Sequence, residues 1–223
     1  MYDRTFDGKA VNFGVIGVDR GSLTIYDDET KSWWSQLFGE ALSGEMKGKK
    51  LTKLPSTMTT WSKWKELHPD TTVYIKRSIP YNARFTAETF QNFASMPAGP
   101  PQPTEVVLGV EGHVQAKAYL LRRLAKNRVR NDKLEDAPIL VFLSEDHATS
   151  RVYPRTVDGR ELTFDLAGGD LLKDRETGSA WNAITGKAVF GDMKGKSLEP
   201  LTTSYALWAV WHRYREDTEL AEE

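Results

Sequence analysis

Asp27-Asp28-Glu29-Thr30-Lys31-Ser32-Trp33-Trp34 returns later in the chain as Asp174-Arg175-Glu176-Thr177-Gly178-Ser179-Ala180-Trp181. Downstream the register continues without a gap, so that Gly39, Ala41, Gly44, Met46 and Gly48 fall on Gly186, Ala188, Gly191, Met193 and Gly195. It still holds at Trp61 and Trp64, which fall on Trp208 and Trp211. Upstream, Tyr2-Asp3-Arg4-Thr5 and Asp7-Gly8-Lys9 match Tyr153-Pro154-Arg155-Thr156 and Asp158-Gly159-Arg160. The one length change lies between Phe13 and Asp27, where the first copy is longer and carries Gly17-Val18-Asp19-Arg20-Gly21. A register held over this distance marks an internal duplication, and a duplicated unit sets the fold.

Each copy reads mainly as β-structure. Asp7-Gly8 and Asp158-Gly159 sit between short alternating runs and supply the positive φ angles of a type I′ hairpin. Glycines 39, 44 and 48 punctuate further short strands. A helix closes each copy. Thr59 or Thr60 caps the first, with Trp61, Trp64 and Leu67 at helical spacing and Pro69 as its stop; Ser204 caps the second, which carries Leu207, Trp208, Trp211 and Tyr214. The tryptophans shared by both copies, at 34, 61, 64, 181, 208 and 211, read as core.

The predicted fold is therefore α+β, mainly antiparallel β with two pseudo-symmetric repeats, each closed by a short Trp-rich helix. Repeat one spans 1–79, a Pro-rich connector 80–105, and a lead-in plus repeat two 106–223. Within the lead-in, Val106–Val110 and Pro138–Leu143 predict strands and Tyr119–Lys126 a short helix. Repeat one has no such lead-in. Its first strand, near Arg4, is expected either to pair with Val106–Val110 or to remain an open sheet edge available for self-association.

Composition narrows the chemistry. With no cysteine among 223 residues there is no disulfide, thiolate nucleophile or thiolate metal ligand. Lys plus Arg (30) nearly balances Asp plus Glu (31), so no overall field steers the chain to nucleic acid, and none is predicted as a partner. The basic stretch Lys117–Lys133 lacks interleaved aromatics and reads as a solvated helix face. No apolar run is long enough for a membrane span, and Met1–Thr5 lacks a signal-peptide pattern, so the default compartment is the cytoplasm.

The phrases Tyr-Asp-Arg-x-x-Asp-Gly, Asp-x-Glu-Thr-x-Ser-Trp-Trp-x-Gln, Gly-x-Ala-x-x-Gly and Trp-x-x-Trp-x-x-x-His-Pro-Asp-Thr resemble the prokaryotic family catalogued as domain of unknown function 3179, over nearly the whole chain. The resemblance implies no activity, and relatives are often exported. Many relatives carry Cys-Pro-x-Cys ahead of the Arg-x-x-Asp-Gly hairpin. Here those positions read Ser144-Glu145-Asp146-His147, which removes thiol redox and thiolate-metal roles, and Leu120 stands where proline is usual.

Duplication also filters the candidate chemistry. What both copies keep is scaffold, so the Asp-x-Glu-Thr-x-Ser-x-Trp cluster reads as hydrogen bonding that satisfies a turn and fixes a tryptophan. What one copy alone holds marks a site. Trp33, Gln36 and His68 face Ala180, Ala183 and Arg215, and the longer loop adds Arg20; with Glu29 these are the candidate ligand-binding residues. Trp33 beside Trp34 puts one ring on each face of a strand. The histidines at 68, 113, 147 and 212 lack ligand spacing, and no P-loop or Gly-x-Gly-x-x-Gly occurs, so neither a metal nor a cofactor is predicted. No Gly-x-Ser-x-Gly elbow surrounds Ser32, which weakens a Ser32/His68/Asp27 site. The leading expectation is a ligand-binding or interaction protein whose site lies on repeat one and takes a small molecule or a protein. The alternative is a hydrolase-like or metal-dependent enzyme using the carboxylates of repeat one and His68.

Overall fold

The computed structural model describes residues 1–6, 8–75 and 100–222, so most of the Pro-rich connector lies outside the described residues. The chain begins with a hairpin of β1 (Thr5–Phe6) and β2 (Lys9–Ala10). An antiparallel meander follows, β3 (Phe13–Asp19), β4 (Ser22–Asp27), β5 (Trp33–Ser35) and β6 (Ala41–Ser43), before α1 (Trp61–Leu67). Later come β7 (Val106–Glu111), β8 (Ala116–Leu120), α2 (Leu121–Leu124), β9 (Val129–Leu134), β10 (Ala137–Leu143) and β11 (Ser150–Pro154). A second hairpin, β12 (Thr156–Val157) and β13 (Arg160–Glu161), precedes a second meander of β14 (Phe164–Gly168), β15 (Leu171–Asp174), β16 (Ala180–Asn182) and β17 (Ala188–Phe190). Last come β18 (Thr203–Leu207), α3 (Trp208–Tyr214) and β19 (Glu219–Leu220). Among the described residues, pairing is antiparallel except where β19 joins β8 in parallel.

Strand β10 shows why the C-terminal part has a deep core. Its run Ile139-Leu140-Val141-Phe142-Leu143 is buried on both faces. Leu140 and Phe142 pack toward Trp181, Phe164 and Leu172 of the second meander. Ile139, Val141 and Leu143 pack toward Leu108, Val110 and Tyr119 of the β7–β8 hairpin. The other face of that hairpin carries Val107, Ala118 and Leu120 against Trp208, Trp211 and Phe38. By contrast, the first meander covers only a small cluster around Trp34, Ala41 and Leu51.

Several expectations change at this level. Asp158 and Gly159 both have positive φ (50° and 77°), the type I′ geometry expected; Gly8 is likewise at 77°, and Asp7 lies outside the described residues. Of the helix expected over Tyr119–Lys126, residues 119 and 120 belong instead to strand β8, because all of 116–120 is buried in pairing with β7, leaving one helical turn at 121–124. Thr60 caps α1 through Lys63 N. Ser204 does not cap α3: it lies within β18, and the helix starts after Leu207, its first amides donating to the carbonyls of Glu105 and Pro103. Val106–Val110 does not pair with the strand near Arg4, since β7 already has β18 on one side and β8 on the other. Thr5–Phe6 pairs with Lys9–Ala10, while Met1–Asp3 is tied to Thr52–Leu54.

The tryptophans divide. Trp34, Trp181, Trp208 and Trp211 are buried, but Trp61 is 48% exposed and Trp64 only half-buried, so these two are not core. The reason is what lies beneath each helix: α3 rests on the β7–β8 hairpin, and α1 has no such hairpin among the described residues. Nor is the basic stretch a solvated helix face. Lys117 is buried between Asp132 and Glu219, Arg128 reaches Asp170, and Arg130 reaches Asp132.

Candidate functional site

The Asp27 cluster is a folding device. Asp27 Oδ1 accepts from Thr30 N at 2.5 Å, Oδ2 accepts from Trp34 Nε1 at 2.9 Å, and the Thr30 hydroxyl meets Ser32 Oγ at 2.7 Å. Ser32 Oγ then accepts from Met46 N at 3.0 Å, pinning the next turn. In the second meander Asp174 meets Thr177 N at 2.6 Å and Trp181 Nε1 at 2.9 Å, Thr177 meets Ser179 at 2.7 Å, and Ser179 accepts from Met193 N at 3.1 Å. Burial pushes both carboxyls upward, yet the indole and threonine bonds outweigh it and hold them below the ordinary value. Such committed groups are poor general acids or bases. Ser32 is fully buried and its hydroxyl is taken, so it does not meet His68, which stacks on Trp64 with centroids 4.2 Å apart.

Polar chemistry gathers instead where the two halves of the chain meet. The Arg215 guanidinium donates to Glu40 at 2.6 Å from Nη2 and to Glu111 at 2.7 Å from Nε, and its Cζ lies 4.2 Å from the Phe38 ring centroid. Burial works against the charge of Arg215, but the two carboxylates hold its pKa above the ordinary value. Lys53 donates to Ser204 Oγ at 2.7 Å and lies 3.8 Å from Glu111. Burial lowers the Lys53 ammonium, with Glu111 opposing and Arg215 reinforcing that shift. Burial and the carboxylates of Glu111 and Glu40 raise the Tyr2 phenol, which donates to Leu37 O at 2.5 Å.

A second set of ties runs the other way. Lys63 of α1 donates to Asp170 at 2.5 Å and lies 3.7 Å from Asp146, while Arg128 holds the other oxygen of Asp170 at 3.0 Å. Thr149 donates to Thr59 at 2.7 Å. Asp146 accepts from Ser144, so the Ser144-Glu145-Asp146-His147 loop serves this junction. Among the described residues, no group of three or more His, Asp or Glu side chains is placed to hold a metal ion.

Beside Lys53 the junction opens into a cleft of about 550 Å³. Tyr2, Gln36 and Lys53 line one side and Thr203, Ser204 and Tyr205 the other, with Ser56, Thr57 and Met58 at the rim. Strand β18 positions Ser204 and Tyr205, and the turn after β5 positions Gln36.

Of the candidate residues, only Gln36 reaches this cleft. Trp33 is 48% exposed on the outer face of the first meander, opposite buried Trp34, as a strand dictates. Glu29 lines a separate hollow with Phe13 and Trp34. Arg20 sits at the β3–β4 turn with its guanidinium 5.3 Å from the Tyr214 ring, and His68 lines a third hollow below α1. The structure does not bring the five together. Lys53 was missed although the same asymmetry marks it, since Pro200 stands at the matching position; Ser204 and Tyr205 carry no signal, because their role depends on how the halves dock.

No curated protein and no solved structure matches the chain. A family model described as "Protein of unknown function (DUF3179)" matches residues 1–218.

Proposed function

We propose, from the premise that the chain belongs to the DUF3179 family, that it is a binding protein made of two copies of one repeat, with its ligand cleft where the copies meet. The observation that carries this reading is the junction cleft itself: one half-buried ammonium, Lys53, in a cleft lined by the hydroxyl side chains Ser56, Thr57, Thr203 and Ser204 and by Tyr205, whose own hydroxyl is held by Ser150, with Leu37 and Met58 as apolar lining. That lining suits a small hydroxylated carboxylate, whose charge meets Lys53 and whose hydroxyls meet the rim. Carboxylates at the junction, such as Glu40, are held low by ion pairs after overcoming burial, which is the state of structural partners rather than of a general acid.

Matched side-chain bonds in the two meanders, at nearly the same distances, support common descent of the copies. A first copy spanning 1–79 and a second preceded by its own lead-in from 106 agree with that pattern. Trp33, Arg20, Glu29 and His68 remain surface features of the first copy, of which Gln36 alone adds to the cleft.

The test is a titration of the ¹⁵N-labelled protein with gluconate, tartrate and malate. Shifts clustered at Gln36, Lys53, Thr57, Ser204 and Tyr205, and lost in Lys53→Met, are expected. Responses confined to other surfaces, or unchanged in Lys53→Met, would refute the cleft as a ligand site.

A further inference from the structure

Among the described residues, helix α1 is anchored on one side. Lys63 and Leu67 point into the C-terminal half, Lys63 to Asp170 and Leu67 against the core that contains Trp181. Trp61, Trp64 and His68 share the adjoining face by helical spacing, Trp64 lying next to Leu67 at its edge. There Trp61 is exposed and Trp64 borders a hollow of about 460 Å³ with Leu67, His68 and Thr71. Just before the helix, residues 56–60 are exposed or half-exposed, and among the described residues the backbone amides of Ser56, Thr57, Met58 and Thr59 donate to no backbone carbonyl.

Helix α3 shows the same local construction with its face filled. Trp64 Nε1 donates to Thr71 Oγ1 at 3.0 Å, and Trp211 Nε1 donates to Thr218 Oγ1 at 2.9 Å. His68 N bonds Trp64 O at 2.9 Å, and Arg215 N bonds Trp211 O at 3.0 Å. Around α3, however, the preceding segment is β18, paired residue by residue with β7 from Thr203↔Val110 to Leu207↔Val106. The Trp211 ring lies so close over Gly109 that a Cβ there would come within 2.2 Å of it. Two aliphatic strands with a glycine under the indole are thus what this construction accepts.

We propose that the open face of α1, with segment 56–60, is a docking surface for an aliphatic β-hairpin carried by a partner polypeptide. One strand of the hairpin pairs antiparallel with residues 56–60, and a glycine in that strand lies under Trp64. The proposal rests on the two-copy reading, and it goes beyond the junction cleft in naming a protein partner and its chemistry. Main-chain pairing supplies affinity, and the glycine under the indole supplies selectivity.

The probe is a fluorescein-labelled peptide of residues 105–121 of this chain, titrated with the full-length protein and read by anisotropy. Saturable binding is expected, weakened about tenfold or more by Trp64→Ala or Trp61→Ala in the protein and by Gly109→Leu in the peptide. No binding would overturn the proposal. Binding unaffected by Trp64→Ala would also overturn it, since the peptide would then be displacing β7–β8 at α3. A concentration-dependent dimer in sedimentation, with the peptide as competitor, would replace the foreign partner by a second copy exchanging its own hairpin. The Trp64 indole N–H signal separates the two readings: at a free-solvent shift it undermines the two-copy reading, whereas a bonded shift without peptide binding undermines the docking surface alone.

Discussion

Gly109 and Trp211 are shaped to each other: the indole ring occupies the space above Gly109 that any Cβ would need. Gly109→Val is therefore expected to destabilise the protein by about 3 kcal/mol, the upper end for overpacking, because β7 is paired on both sides and cannot retreat. Urea unfolding followed by far-UV circular dichroism measures it; a loss under about 1 kcal/mol would show that the ring has room to move.

The two Trp helices should answer truncation unequally. Trp211→Ala removes a fully buried ring and is expected to cost about 3–5 kcal/mol. Trp61→Ala removes an exposed one and should stay within about 0.5 kcal/mol. Equal losses by calorimetry would mean that Trp61 is covered in solution.

Asp174→Asn keeps the size of the side chain but sets an amide against the donors Thr177 N and Trp181 Nε1. A loss of about 2 kcal/mol is expected, since a buried donor is left without its acceptor. The Trp181 indole N–H resonance is the local readout, and an unchanged shift would contradict the assignment of that bond.

Acid sensitivity follows from the same cluster. Asp27 and Asp174 have folded-state pKa values below the ordinary 3.8, so the stability they contribute is fully present above 3.8 and is lost as pH falls through their folded values. Melting temperature against pH should fall steeply below that point in the wild type and less steeply in Asp174→Asn. Parallel slopes would show that other carboxylates dominate.

Arg215 bridges Glu40 and Glu111 while covering Phe38. Arg215→Met is expected to cost about 2–4 kcal/mol, because two partly buried carboxylates lose the guanidinium they share and keep only Lys50 beside Glu40 and Lys53 beside Glu111. Recovery in Arg215→Met combined with Glu40→Gln and Glu111→Gln, measured by thermal denaturation, is the check; failure to recover would assign the loss to packing on Phe38.

Local rules were legible in the sequence where local geometry decides. Asp158-Gly159 dictates its turn, Thr60 caps its helix, and the paired Asp-x-Glu-Thr-x-Ser-x-Trp phrases each fix a buried indole. Tertiary pairing overrode local preference at Tyr119 and Leu120, the start of an expected helix, and moved Ser204 from a cap into a strand. Trp61 and Trp208 look alike in sequence, and only the presence of β7–β8 under one of them separates their fates. The junction cleft was illegible for a related reason: Lys53 and Ser204 become neighbours only when the halves dock.

The ties at the junction run in both directions, from Lys63 to Asp170 and from Arg215 to Glu40. Each half thus keeps one of its own helices lodged against the other. Residues 1–75 and 100–223, made as separate polypeptides, should recognise each other and rebuild the whole by fragment complementation. If they do, a version of the chain encoded with its halves in the opposite order is expected to reach the same arrangement.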